Sequence, residues 1–281
     1  MTTEEKAEVE ARMRLDSACG GIQYSETEIK KTLELLSLFD DWKALIATKR
    51  PIVFQDDGKE YPPQDYFAYD GFFPGYFEQE TKVLFIGRET RWISGMDFRD
   101  TTYSFFKNEN VNGSPFWCKV LYMLYGIQHK GKVPYSDVPY ADEIAKKMVE
   151  TGNFGFGVMQ LSKYSNDSDE GASRNIDMMN RFLEDSELEK RNFFHEELKL
   201  LEPDIIITAN LFDCGVRDEY LARCFSGTFS DELSPCPKTA NHWKYDLDGK
   251  QVDMINTYHF SSRKPIDECF YEPVMKILFP S

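Results

Sequence analysis

Four short apolar runs punctuate the chain: Lys82-Val83-Leu84-Phe85-Ile86-Gly87, Phe156-Gly157-Val158-Met159-Gln160-Leu161, Asp204-Ile205-Ile206-Ile207-Thr208-Ala209 and Val252-Asp253-Met254-Ile255-Asn256-Thr257-Tyr258. Apolar residues at consecutive rather than alternate positions fit strands buried on both faces, as in a parallel sheet. Elsewhere the period changes to three or four. From Ser25 to about Thr48, Ile29, Leu33, Leu36, Phe39, Trp42 and Ile46 form one stripe with Pro51 just beyond, which predicts a helix. Ser114-Pro115 reads as the N-cap and first position of another, with Phe116, Val120, Leu121 and Leu124 inward. Further helices are expected from Ser173, over about 186–201 with Phe194, Leu198 and Leu201 inward and Pro203 as terminator, and after Pro265. Residues 1–15 read as a polar helix, 51–80 as an ordered aromatic loop, and the segment between Gly87 and Ser114 as a long polar and aromatic loop.

Strands alternating with helices imply βαβ units. The predicted fold class is therefore α/β, with three α/β/α layers around a short central parallel sheet of about four strands. Two parts are expected: an N-terminal helical and aromatic-loop extension over residues 1–80, packed on the main body, and an α/β domain over 81–281. Ligands of such sheets bind outside the carboxyl ends of the strands. The loops to inspect thus begin at Gly87, Ser162, Asn210 and His259.

Composition narrows the function classes. With 281 residues, 41% hydrophobic and 15% aromatic, the chain can bury a sizeable core. The charged start and the lack of any apolar run near the roughly 20 residues that span a bilayer predict neither a secretory signal nor a membrane partner. Cys19, Cys118, Cys214, Cys224, Cys236 and Cys269 show no CxxC spacing, which argues against a zinc ribbon or a disulfide scaffold and for reduced thiols in the cytoplasm. The loop from Asn166 to Gly171 lacks the ligand spacing of an EF-hand, and no GxSxG, HExxH or GxxxxGK[ST] occurs. No metal and no cofactor are predicted. A net charge of −15 opposes non-specific attraction to a polyanion, yet a local cationic face is compatible with it.

Candidate chemistry gathers at the predicted strand ends. After the first strand, Gly87 lets the backbone turn sharply and approach a ligand. Glu89 offers a carboxylate at the sheet rim, as base or acceptor, or as a salt-bridge partner of Arg88 or Arg91. Trp92 can stack on a planar ligand or serve as a core or lid aromatic. After the fourth strand, His259 precedes Ser261 and Arg263 and can donate to a developing negative charge. Gln160, with Ser162 close behind, carries an amide suited to a nucleobase edge or to neighbouring backbone. Arg88, Arg91, Lys163, Arg263 and Lys264 are expected to form a cationic rim able to hold phosphate.

In order and placement these motifs resemble the uracil-DNA glycosylase superfamily, over about residues 80–279. Gly87-Arg88-Glu89 is similar to the family's glycine, variable residue and water-positioning carboxylate or amide. Gln160 stands near the family's base-reading amide, and His259-Phe260-Ser261 is similar to its His-Pro-Ser motif, whose histidine stabilises the uracil anion. Glu202-Pro203-Asp204-Ile205-Ile206 resembles its entry into the third strand. The sequence departs from the pattern at Thr90-Arg91-Trp92, where proline and tyrosine are usual, at Phe260 for proline and at Gln160 for asparagine; no cysteine quartet for an iron–sulfur cluster is present. The resemblance implies a uracil-DNA glycosylase-like fold that binds a nucleobase at the strand ends, with Glu89 and His259 catalytic and Gly87, Arg88, Trp92, Gln160, Ser162, Ser261 and Arg263 around the substrate. Its activity would be hydrolysis of an N-glycosidic bond in DNA repair. Two alternatives remain open: a non-catalytic module binding a nucleobase, nucleotide or nucleic acid, and a hydrolase of small nucleosides or nucleotides. The sequence carries no signal of oligomeric state.

Overall fold

A computed structural model of the chain describes residues 2–5, 7, 8, 11, 24–53, 58–167 and 172–280, the side chains of 172–175 excepted. The strands are β1 (Ile52–Val53), β2 (Glu60–Tyr61), β3 (Gly71–Phe72), β4 (Val83–Gly87), β5 (Gly157–Gln160), β6 (Ile205–Ala209), β7 (Ala240–Leu247) and β8 (Lys250–Thr257). The helices are α1 (Glu26–Ile46), α2 (Phe98–Asn108), α3 (Pro115–Gln128), α4 (Ala141–Thr151), α5 (Ala172–Asp185), α6 (Phe193–Leu201), α7 (Asp218–Cys224) and α8 (Glu272–Leu278).

All four apolar runs are strands, and they pair in parallel in the order β5-β4-β6-β8. The sheet nonetheless has six strands rather than about four, because β3 and β7 add antiparallel edges beside β5 and β8. Two-residue β3 is too short to show a period. In β7 only alternate stretches are buried, so it reads as polar sequence.

Alternation sorts the strand side chains into two cores. Leu84, Ile86, Met159, Ile206, Val252 and Met254 face a cluster that includes Trp42 of α1, Phe182 of α5, Leu198 of α6 and Leu221 of α7. Val83, Phe85, Val158, Ile207 and Ile255 face the other, with Phe106 of α2, Leu121 of α3, Ala145 of α4 and Val274 of α8. Helices therefore flank both faces of the sheet, an arrangement compatible with three α/β/α layers.

Several local expectations need correction. Helix α1 starts as predicted, with Ser25 in a capping box with Glu28. Its buried stripe, however, runs through Glu28, Thr32, Leu35, Leu38, Phe39, Trp42 and Ile46. The Leu33/Leu36 and Leu35/Leu38 pairs offer competing stripes, and packing selects the second. The supposed loop before Ser114 contains α2, capped by the Asp97 carboxylate. The helix expected over about 186–201 occupies only Phe193–Leu201, following turns. Segment 51–80 holds three short strands and a 3-10 turn at Pro63–Tyr66, with β3 joining the main sheet. The predicted helix over 1–15 lies largely outside the described residues, as do Cys19 and part of the acidic loop that ends at Gly171.

Candidate functional site at the strand ends

From β4 the chain crosses to β5 on one side and returns to β6 on the other. The crevice between the carboxyl ends of β4 and β6 is thus a topological switch point, the usual ligand position in open α/β sheets. Loops from β4, β5, β6 and β8 border it. The β4 and β5 loops run side by side: Leu161 N–H donates to Gly87 O (3.0 Å), Ser162 N–H to Arg88 O (2.8 Å) and Asn166 N–H to Thr90 O (2.9 Å). Arg88 reaches across the crevice, its Nη2 donating to Asn210 O at 3.2 Å. Asn210 has a left-handed backbone (φ 54°), and Asn256 Oδ1 pins its loop by accepting from Thr208 Oγ1 (2.7 Å) and Leu211 N–H (3.0 Å).

Gly87 closes β4. Its backbone is not left-handed; a Cβ there would lie 2.3 Å from Gln160 Oε1. Glycine leaves room for the amide of Gln160, its direct partner across β4 and β5. Gln160 is 3% exposed, and its buried Oε1 has no hydrogen-bond partner among the described residues. Its N–H donates to Asp70 Oδ2 at 2.6 Å.

Asp70 belongs to a buried charge cluster that sequence reasoning missed. Lys163 Nζ lies 2.7 Å from both Asp70 carboxylate oxygens and 2.9 Å from Glu197 Oε2, with the rings of Phe39 and Trp42 at 5.4 and 5.8 Å. Burial and the adjacent Asp70 charge push the Glu197 carboxyl well above the usual range. Lys163 is therefore no part of a cationic rim; its charge is consumed inside the core. Ser162 is equally buried, and its hydroxyl accepts from Tyr164 N–H at 3.2 Å.

On the β8 loop, His259 is half-buried and its Nδ1 accepts from Ser261 N–H at 3.2 Å. This bond assigns the ring proton to Nε2, which has no partner among the described residues. Burial, the Arg88 charge and the Lys119 charge lower its pKa to about 4, so the ring is a neutral donor at pH 7. Phe260 is buried edge-to-face against Phe85 (6.0 Å) and Phe116 (5.4 Å). Phe260 thus anchors the loop in the core.

Glu89 is half-buried on the β4 loop, while Ser261, Arg263 and Lys264 are exposed. Trp92 is 57% exposed on a left-handed backbone (φ 59°). Buried polar atoms without hydrogen-bond partners among the described residues recur here: Arg88 Nε, Thr90 Oγ1, Ser94 Oγ, Gln160 Oε1 and Ser262 Oγ. Such atoms are costly unless something satisfies them. Among the described residues, no His, Cys, Asp and Glu cluster could hold a metal, and no helix is long and apolar enough to cross a membrane.

A separate cleft of about 630 Å³ lies between α3 and α4, lined by Tyr125, Gln128, His129, Lys147, Met148 and Asn153 among others. The residues from α3 come from its C-terminal half, and Asn153 precedes β5, so this cleft opens at the opposite sheet edge. His195 and His242 are engaged elsewhere, with Asp248 (3.1 Å) and Asp253 (2.7 Å). No model of a known protein family matches the chain. No curated protein sequence matches it either.

Proposed function

We propose that the strand-end crevice binds a nucleobase and hydrolyses its N-glycosidic bond, in the manner of the uracil-DNA glycosylase superfamily. The observation that carries this reading is His259: a neutral imidazole with Nδ1 occupied by Ser261 N–H and Nε2 left as donor, between two cations. As the bond between C1′ and the base nitrogen lengthens, its electron pair moves to the base. Nε2–H donates to the base oxygen where that charge develops, and Arg88 and Lys119 lower its energy. The Gln160 amide, with an acceptor lacking a partner, pairs with a base edge. Glu89 orients water toward the sugar carbon, and Trp92 stacks on the base or its neighbour.

The net charge of −15 favours a small nucleotide or nucleoside as a second class of substrate. Base release from uracil-containing single strands, duplexes, nucleosides and nucleotides tests both. His259→Ala is expected to lower the rate by about 10²–10³, and Glu89→Gln to lower it without weakening binding. No base release by the wild type, with ligand affinity lost in both variants, would leave a binding module, and release unchanged in both variants would remove Glu89 and His259 from the chemistry. Failure of every substrate to bind or react would remove the reading altogether.

A further inference from the structure

Three cations are buried among the described residues: Arg99, Lys119 and Lys163. Arg99 has the Asp97 carboxylate at 2.6 Å, and Lys163 has Asp70 and Glu197. Lys119 differs. It is 2% exposed on α3, and among the described residues its ammonium meets no carboxylate, only Ser262 O (2.7 Å), Pro115 O (3.0 Å) and the Phe270 ring (5.1 Å). Two carbonyls satisfy two of its three N–H donors. They do not neutralise the charge, and a buried charge without a counter-ion is held at a cost of several kcal/mol unless something compensates it.

Its position gives that charge a use. Ser262 is the fourth residue of the His259-Phe260-Ser261-Ser262 loop, and Pro115 opens α3. One ammonium thus ties the histidine loop to the helix, while Phe116 and Phe260 pack edge-to-face beside the tie. The groups facing His259 are Arg88 from the β4 loop and Lys119 from α3, both positive. The neighbouring Cys118 thiol points away, to Val111 O and Asn112 O.

We propose that Lys119 is a positioning and specificity-determining residue of the strand-end site: it clamps the His259–Ser262 loop to the first turn of α3 and supplies a positive charge, uncompensated within the described protein, that selects the anionic form of a ligand. The clamp stands on geometry alone; the identity of the ligand rests on the nucleobase reading above.

The test uses the full chain in three forms: wild type, Lys119→Met and Lys119→Arg. NMR titration of the His259 ring reads the charge without any ligand. Removing a nearby like charge is expected to raise the histidine's midpoint by roughly half a pH unit or more in Lys119→Met, with Lys119→Arg close to wild type. Affinities for uracil, neutral at pH 7, and 5-nitrouracil, largely anionic there, read the selection. Lys119→Met should lose at least about tenfold more affinity for the anion than for uracil, and Lys119→Arg should retain the preference. An unmoved histidine midpoint in a folded Lys119→Met, or equal losses for the two bases, overturns the proposal. Should Lys119→Met not fold, Lys119→Gln replaces it: a raised histidine midpoint supports the proposal, and an unmoved one contradicts it. If neither base binds the wild type, the nucleobase reading and its ligand selection fall together, and the histidine titration still decides whether the Lys119 charge acts on His259.

Discussion

At His259, burial and two cations act in one direction, and the consequence is a pH dependence with a definite sign. An ordinary histidine gains its proton near pH 6.5; this one gains it near 4. A process that needs the neutral ring should therefore stay level from about pH 8 down to about pH 5 and fall near pH 4. The unfolded chain takes up this proton first, so the histidine's contribution to stability declines as pH falls from about 6.5 toward 4. Ligand binding followed across that range checks the first statement, and a midpoint near 6.5 would contradict it. Glu28 has the opposite sense. Burial, partly offset by Ser25 N–H, raises its pKa to about 7. Its stabilising contribution is full below about pH 4.5 and is lost as pH rises through 7. Glu28→Gln keeps a side chain able to serve the capping box. It should stabilise the fold by roughly 1–3 kcal/mol at pH 8 and by little at pH 4.5, read from denaturation midpoints. At this scale the sequence was partly legible. Gly87 stood out, but its reason, the Gln160 amide, needs a neighbour 73 positions away brought beside it. Lys119 is one charge in the apolar stretch Phe116-Trp117-Cys118-Lys119-Val120-Leu121, and only packing shows that its ammonium is buried.

Elements were legible where their pattern was unconditional. Strands buried on both faces write consecutive apolar residues into the chain, so β4, β5, β6 and β8 could be read directly. Strand β7 lies at a sheet edge and alternates Ala240, His242, Tyr245 and Leu247 with more polar or exposed positions, so its identity depends on pairing with β8. The same dependence hid the cluster of Asp70, Lys163 and Glu197, drawn from three segments. Its members carry a clear expectation. Lys163→Met leaves buried carboxyl groups without their cation and should cost about 3–5 kcal/mol in chemical denaturation. Because Gln160 N–H depends on Asp70, the same change should loosen the β5 end and weaken ligand binding. Gly87→Ala should cost about 1–3 kcal/mol, with the Gln160 amide displaced and base affinity reduced. A Gly87→Ala protein of unchanged stability and affinity would show that this contact is unimportant.

Across the whole molecule, the contrast is between a strongly acidic body and a neutral histidine at the strand ends on which the charges of Arg88 and buried Lys119 act. Loops from four parallel strands converge there, and among the described residues buried Arg88 Nε, Gln160 Oε1 and Ser262 Oγ have no hydrogen-bond partner. The competing α3–α4 cleft is roomy, but it lies at the other sheet edge, away from His259. Chemical-shift mapping on the full chain, titrated with uracil and with deoxyuridine monophosphate, separates the two directly. The strand-end account predicts that shifts cluster in Gly87–Trp92, Gln160 and His259–Ser262, with the His259 ring resonance among the most displaced. Shifts confined to Tyr125, His129 and Lys147, or none at saturating ligand, would contradict it.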